Sequence, residues 1–269
     1  MNQLSLKQIQ YKSLEILKKV DNICTKNNLT YFLAYGTLIG AVRHKGFIPW
    51  DDDIDIMMPR KDYNLLLQYF YDNQKSIYPL KVLNVETTKN YPYMIARIID
   101  DRFTVIENRV KVNYGLGLFI DIYPLDALGE NTLEIKYTLR KTNFYVQAIK
   151  CFLPEDKNLK GLNHYKAIVL RMFISKSKEY YIKKLISIIK KKNYERSKCV
   201  GCVVWENDCY EKSLVEKTMK MKFEDAEFPV PVGYHEMLTQ IYGNYMELPP
   251  ENERIGHHEY QAFVKDQYL

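Results

Sequence analysis

With 269 residues, 46% of them apolar and 27% charged, the chain is long enough for a sizeable core and too apolar to be disordered. Its net charge of +6 is concentrated: residues 176–198 hold nine Lys or Arg against Glu179 and Glu195, which leaves the rest near neutrality and excludes a generally basic nucleic-acid binder. No stretch approaches bilayer-spanning length and the first residues lack a signal-type apolar block, so the chain reads as cytoplasmic.

In chain order, residues 4–27 read as a helix with Leu6, Ile9, Leu17, Val20 and Cys24 on one side. Tyr31–Tyr35 is a short apolar run stopped by Gly36-Thr37, as a buried strand would be, and Leu38–His44 follows as a short helix. Asp53–Met57 alternates in strand fashion. After Pro59 a helix carries Tyr63, Leu66, Leu67 and Phe70 on one face. Strands are expected at 80–85, 93–99, 103–107 and 118–123, the last stopped by Pro124. Beyond residue 130 the pattern turns helical, at 131–150, at 164–193 with room for a break, at 210–219 and at 234–242. The expected organisation is an α/β (α+β) core with a small mixed sheet over 1–130, then a mainly helical lobe over 131–269 that packs back on it.

The densest chemistry lies in GFIPWDDDIDIMMPRKDY, residues 46–63, with four aspartates in five positions. Strand alternation puts Asp53 and Asp55 on one face, with Ile54 and Ile56 turned to the core. Two carboxylates held side by side suit Mg²⁺, which takes one or two carboxylates plus substrate phosphates. Asp51 and Asp52, nearer the turn, are expected in water. Upstream, strand–Gly36-Thr37–helix is a phosphate-binding arrangement, and Arg43 in the same helix is placed to clamp a phosphate or to neutralise the aspartates. Downstream, Asp121 stands in an otherwise apolar strand, where it needs a metal or an ion pair with Arg97 or Arg102. Together these parts form a phosphoryl- or nucleotidyl-transfer site.

Two features stand outside that constellation. Cys199 and Cys202 have C-x-x-C spacing, but no completing ligand pair lies nearby, so idle or buried thiols are the simpler reading. Within 176–198, Ile182, Leu185, Ile186 and Ile189 have helical spacing, giving an amphipathic helix that is either a solvated surface element or a contact with a polyanion or an anionic membrane surface.

AYGTLIGAVRHKGFIPWDDDIDIMMPRKDY (34–63), FIDIYPLD (119–126) and FPVP…YHEMLTQIYGNYMELPPENERIGHH (228–258) resemble the LicD family of phosphocholine transferases, which have a nucleotidyltransferase-like fold. The resemblance implies transfer of phosphocholine from CDP-choline to a sugar hydroxyl of a lipid-linked glycopolymer precursor, such as a teichoic acid or lipopolysaccharide, with release of CMP. It assigns Asp53 and Asp55 to Mg²⁺, Asp121 to the metal or to the acceptor's proton, and Gly36, Thr37 and Arg43 to phosphates. Trp50 and Tyr35 are candidates for caging a quaternary ammonium, and His257 for a supporting role. Transfer of another phospho-alcohol from a CDP carrier, nucleotidyl transfer from an NTP, and a non-catalytic binding role are the alternatives.

Overall fold

The computed structural model describes residues 2–108, 113–152, 171–172, 174–205, 208–256 and 260–268. Two compact units emerge: Met1–Asn108, Val112–Pro124 and Ser213–Leu269 form the first, Arg109–Lys111 and Leu125–Lys212 the second. The division within β6 falls after Pro124, and Ser213–Leu269 is grouped with the first unit.

In the first unit, α1 (Leu6–Lys26) begins at a capping box in which Ser5 accepts from the Gln8 N–H and the Gln8 side chain answers the Ser5 N–H. Ile9, Leu17, Val20 and Cys24 are buried as their spacing requires, whereas Leu6 is exposed at the helix start. The central sheet follows, with strands β1 (Phe32–Leu33), β2 (Asp55–Pro59), β3 (Leu80–Leu83), β4 (Ala96–Asp100) and β6 (Leu118–Gly129), spatial order β1-β2-β6-β4-β3. Strand direction in it is mixed. Every residue of β6 is buried, which explains its continuous apolar run with only Asp121 and Asp126 charged. Helix α2 (Tyr35–Ile39) continues into a π-helical turn, Gly40–His44, and α3 (Arg60–Asp72) buries Tyr63, Leu66, Leu67 and Phe70.

Pro124 does not stop β6. The strand pairs with β4 up to Ile122 and with β7 (Cys199–Gly201) from Asp126, so the missing N–H falls between the two paired stretches. Two further ladders complete the first unit. Strand β5 (Phe103–Glu107) pairs with β11 (Tyr260–Val264), and β9 (Thr218–Phe223) with β10 (Ala226–Pro231). The helix expected at 210–219 is therefore absent. Residues 210–211 form β8, 212–214 a single 3₁₀ turn, and 218–223 a strand that its partner at 226–231 holds through the Glu224-Asp225 turn. Helix α6 (Tyr234–Tyr242) follows.

The second unit holds the end of β6, β7 and β8, with helices α4 (Thr132–Lys150) and α5 (Lys178–Ile189). Asn131 caps α4, and Lys192 pairs with Glu134 in its first turn. Leu185 and Ile189 are buried and Ile182 and Ile186 half-buried, with Lys183, Lys184, Lys190 and Lys191 exposed, so the amphipathic reading of α5 holds over 178–189. Its expected beginning at 164–170 lies outside the described residues. Among the described residues no helix is long and apolar enough to cross a membrane.

Candidate active site

The loop between the π-helical turn and β2 is held from three sides. Gln10 of α1 donates to the Asp51 carbonyl at 2.8 Å, Tyr260 of β11 donates its hydroxyl to the Asp52 carbonyl at 2.6 Å, and the Glu224 carboxylate accepts from the Phe47 N–H at 2.9 Å. These contacts draw Asp51 and Asp52 out of water, contrary to their expected solvation: each is only 8% exposed. The Asp51 carboxylate leans over α2, where a Cβ on Gly36 would lie 2.9 Å from Oδ2, so glycine is what permits the approach.

Backbone pairing then sets the carboxylates. Asp55 is fixed at both backbone groups: its N–H donates to Thr37 Oγ1 at 2.8 Å and its carbonyl accepts from the Ala34 N–H at 3.0 Å. The Asp121 N–H donates to the Ile54 carbonyl at 2.8 Å, bringing β6 against the start of β2. Asp53, two residues before the strand, Asp55 at its first position and Asp121 on β6 thereby each offer an oxygen within 4.8 Å of the others. Asp51, Asp52 and Asp53 form a second group of the same kind. Among the described residues these aspartate groups are the only such clusters, and Cys199 and Cys202 belong to none.

Asp55 carries a marked electrostatic load. Burial, then the charges of Asp53, Asp121 and Asp51, push its carboxyl well above the usual carboxylate range, against a hydrogen bond from the Tyr123 hydroxyl. Its Oδ1 is buried with no hydrogen-bond partner. A buried, unanswered carboxylate oxygen facing two more carboxylates fits a hard divalent cation, which takes oxygen ligands. Beside it, Tyr35 holds a left-handed backbone, φ 47°, at the entry to α2 and packs edge-on against Tyr123 at 4.8 Å. A non-glycine residue in that region carries strain of about 1–3 kcal/mol, here located at the site.

Asp121 has a second allegiance. In the β4–β6 ladder it lies directly opposite Arg97, and Arg97 Nε meets its Oδ1 at 2.7 Å. Arg97 also reaches Glu107 at 2.8 Å and the Tyr114 hydroxyl at 3.2 Å through Nη1, with the Tyr93 ring 4.3 Å and the Phe119 ring 4.0 Å from its Cζ. Tyr93 and Tyr114 both donate to Glu107. Burial works against the guanidinium's charge, but Asp121, Tyr91, Glu107 and Tyr114 outweigh it and hold its pKa well above the ordinary value. The ion pair anticipated as an alternative to metal binding is thus present, on the same carboxylate that faces Asp53 and Asp55. Glu107, Tyr93, Tyr114 and Phe119 went unpredicted. The available signal was one opposite charge in each of two apolar strands, Arg97 in ARIID and Asp121 in LFIDI.

The remaining candidates are more dispersed. Thr37 uses its hydroxyl on Asp55. Arg43 turns onto another loop, donating to the Tyr245 carbonyl at 2.6 Å and the Glu247 carbonyl at 3.1 Å, while its Nε lies 2.9 Å from His44 Nε2. Trp50 has the Arg254 guanidinium 5.9 Å from its ring and His44 edge-on at 6.5 Å. His257 lies outside the described residues.

A small mixed sheet that sets paired aspartates at the start of one strand and a third on its neighbour is an arrangement suited to metal-assisted phosphoryl or nucleotidyl transfer. The chain belongs to the LicD family: residues 28–154 match the domain described as LicD/FKTN/FKRP, nucleotidyltransferase domain. Over 277 aligned residues, covering 98% of this chain and 100% of the relative, it is 31% identical to the lipopolysaccharide cholinephosphotransferase LicD of Haemophilus influenzae. An uncharacterised protein of Rickettsia typhi is 33% identical over 135 residues, 48% of this chain and 38% of that one. Another, from Rickettsia prowazekii, is 31% identical over 142 residues, 53% and 49% respectively.

Proposed function

We propose that this transferase moves phosphocholine from CDP-choline to a sugar hydroxyl of a lipopolysaccharide or related lipid-linked glycopolymer precursor, releasing CMP at the cytoplasmic side of a membrane. The observation that carries the reading is the convergence of Asp53, Asp55 and Asp121, all buried, with Asp55 Oδ1 unanswered. The likeness to the Haemophilus influenzae cholinephosphotransferase over the whole chain supports the choice of donor and acceptor.

In this reading Asp53, Asp55 and Asp121 hold Mg²⁺, which when bound neutralises charge on the donor diphosphate. The acceptor oxygen attacks the choline-bearing phosphorus, the bond from that phosphorus to the bridging oxygen breaks so that this oxygen departs with CMP, and the acceptor's proton passes to solvent water. Phosphoryl transfer depends mainly on positioning and charge neutralisation, which is what a fixed carboxylate set provides. Gly36 opens the backbone of α2 beside the aspartates. Thr37 fixes the start of β2 through the Asp55 N–H. Arg97 orients Asp121 from behind, and Arg43 serves by holding the Tyr245–Glu247 loop instead of a phosphate.

The test is to incubate the purified protein with CDP-choline and Mg²⁺, with and without a lipid-linked acceptor bearing N-acetylgalactosamine, and to measure CMP. Acceptor-dependent CMP that disappears with EDTA supports the reading. CMP from CDP-ribitol or CDP-glycerol alone moves the donor to another phospho-alcohol, and pyrophosphate from an NTP replaces the reaction with nucleotidyl transfer.

A further inference from the structure

Helix α4 is apolar on two opposite sides. Its inner side buries Thr138, Thr142, Val146 and Ile149, with both threonine hydroxyls answered by carbonyls one turn back. Its outer side carries larger apolar groups in the open: Leu133 is 82% exposed, Tyr137 59% and Phe144 46%. At 3.6 residues per turn these three fall within an arc of about 40°. Cations line both edges of that stripe. Lys136 and Arg140 stand on one edge and Lys141 on the other, all exposed, and Lys141 Nζ lies 5.7 Å from the Tyr137 ring.

An ordinary surface helix has a polar outer face, and scattered apolar residues on it need no explanation. Three large ones in register, bracketed by cations, are the pattern of a helix lying in a membrane interface, with its apolar stripe at the headgroup boundary and its cations among anionic headgroups. Self-association through this stripe would press Lys136, Arg140 and Lys141 against their own copies. An acidic protein or nucleic acid would answer the charge but not the leucine and phenylalanine.

We infer that the outer face of α4 is a docking surface for an anionic phospholipid bilayer, with Leu133, Tyr137 and Phe144 inserted and Lys136, Arg140 and Lys141 paired with phosphate headgroups. The inference stands apart from the reaction proposed above, since it rests on the second unit alone. It also shifts the membrane contact first expected of 176–198, one of whose lysines, Lys192, is taken up by Glu134.

Vesicle flotation with the full chain tests it. Binding to phosphatidylglycerol-containing vesicles is expected, with none to pure phosphatidylcholine. A Leu133→Ser, Tyr137→Ser, Phe144→Ser variant and an Arg140→Glu, Lys141→Glu variant should each bind about tenfold less or weaker. Unchanged binding by the serine variant, no binding by the native chain, or binding only to lipopolysaccharide phosphates or nucleic acid would overturn the proposal. So would a dimer in light scattering that the serine variant abolishes. Leu133→Trp keeps the test open should the triple variant misfold. Its fluorescence should shift to the blue and be quenched by brominated anionic lipid, and an unshifted spectrum counts against insertion.

Discussion

The two flanks of β6 treat buried charge in opposite ways. On the β4 side, Arg97 lies against two rings and finds Asp121, Glu107 and the Tyr114 hydroxyl within hydrogen-bond reach. On the β2 side, Asp55 is dominated by burial and three like charges, and one of its oxygens has no donor. A folded chain can keep a charge dry by answering it internally or by reserving it for something that arrives later. The first arrangement is complete in itself and the second has an oxygen left over, and Asp121 belongs to both.

The largest effect should come from destroying the answered side. Arg97→Met strands Asp121 and Glu107 as buried charges and should cost about 3–5 kcal/mol, read from urea unfolding. A loss below about 1 kcal/mol would mean that the arginine is not what compensates those carboxylates. Asp55→Asn should do the reverse: activity, measured as CMP release, falls by about 10²–10³-fold or more, while the melting temperature without metal is kept or raised. With Mg²⁺ at a hundred times its dissociation constant the native chain should gain about 2.7 kcal/mol, and the Asp55→Asn chain much less. If Asp55→Asn instead destabilises as Arg97→Met does, the contrast between the flanks collapses.

Finer changes sharpen the comparison. Tyr123→Phe removes the hydroxyl that the Asp55 carboxylate accepts from and should weaken Mg²⁺ binding about tenfold by calorimetry, with stability little changed. Asp101, half-buried beside two more open lysines, supplies the control. It accepts from Lys81 and Lys265, and although burial opposes them, those two lysines hold its carboxyl below the usual range. A carboxyl depressed in the folded state stabilises above its unfolded pKa, and that contribution is lost as pH falls through the lower, folded value. Asp101→Asn should therefore cost a few tenths of a kcal/mol at pH 7 and nothing once both forms are protonated. An effect at pH 7 as large as that of Arg97→Met would show that depth of burial is not what separates strong pairs from weak ones here.

What the sequence disclosed follows the range of the interactions. Asp53, Asp55 and Asp121 were legible because strand alternation and an apolar run are local patterns, and because Asp121 is conspicuous inside LFIDIY. Arg97 was legible as a candidate partner, but its rings and Glu107 were not, since cross-strand neighbours on β4, β5 and β6 depend on register. Asp51 and Asp52 were misplaced in water because the groups that bury their loop, Gln10 and Tyr260, stand far away in the chain. The β9–β10 hairpin was missed for a similar reason: residues 218–223 are mostly exposed and take their form from 226–231.

The contact from Tyr260 to the Asp52 carbonyl also bears on the order of synthesis. A ribosome delivers all three central carboxylates long before it delivers β11, yet the aspartate loop and β5 both lean on that strand. A nascent or prematurely terminated product ending before Tyr260 would carry the whole acidic cluster without one of the three supports of its loop. An abortive chain would therefore keep every aspartate of the cluster while its loop is held by two contacts instead of three.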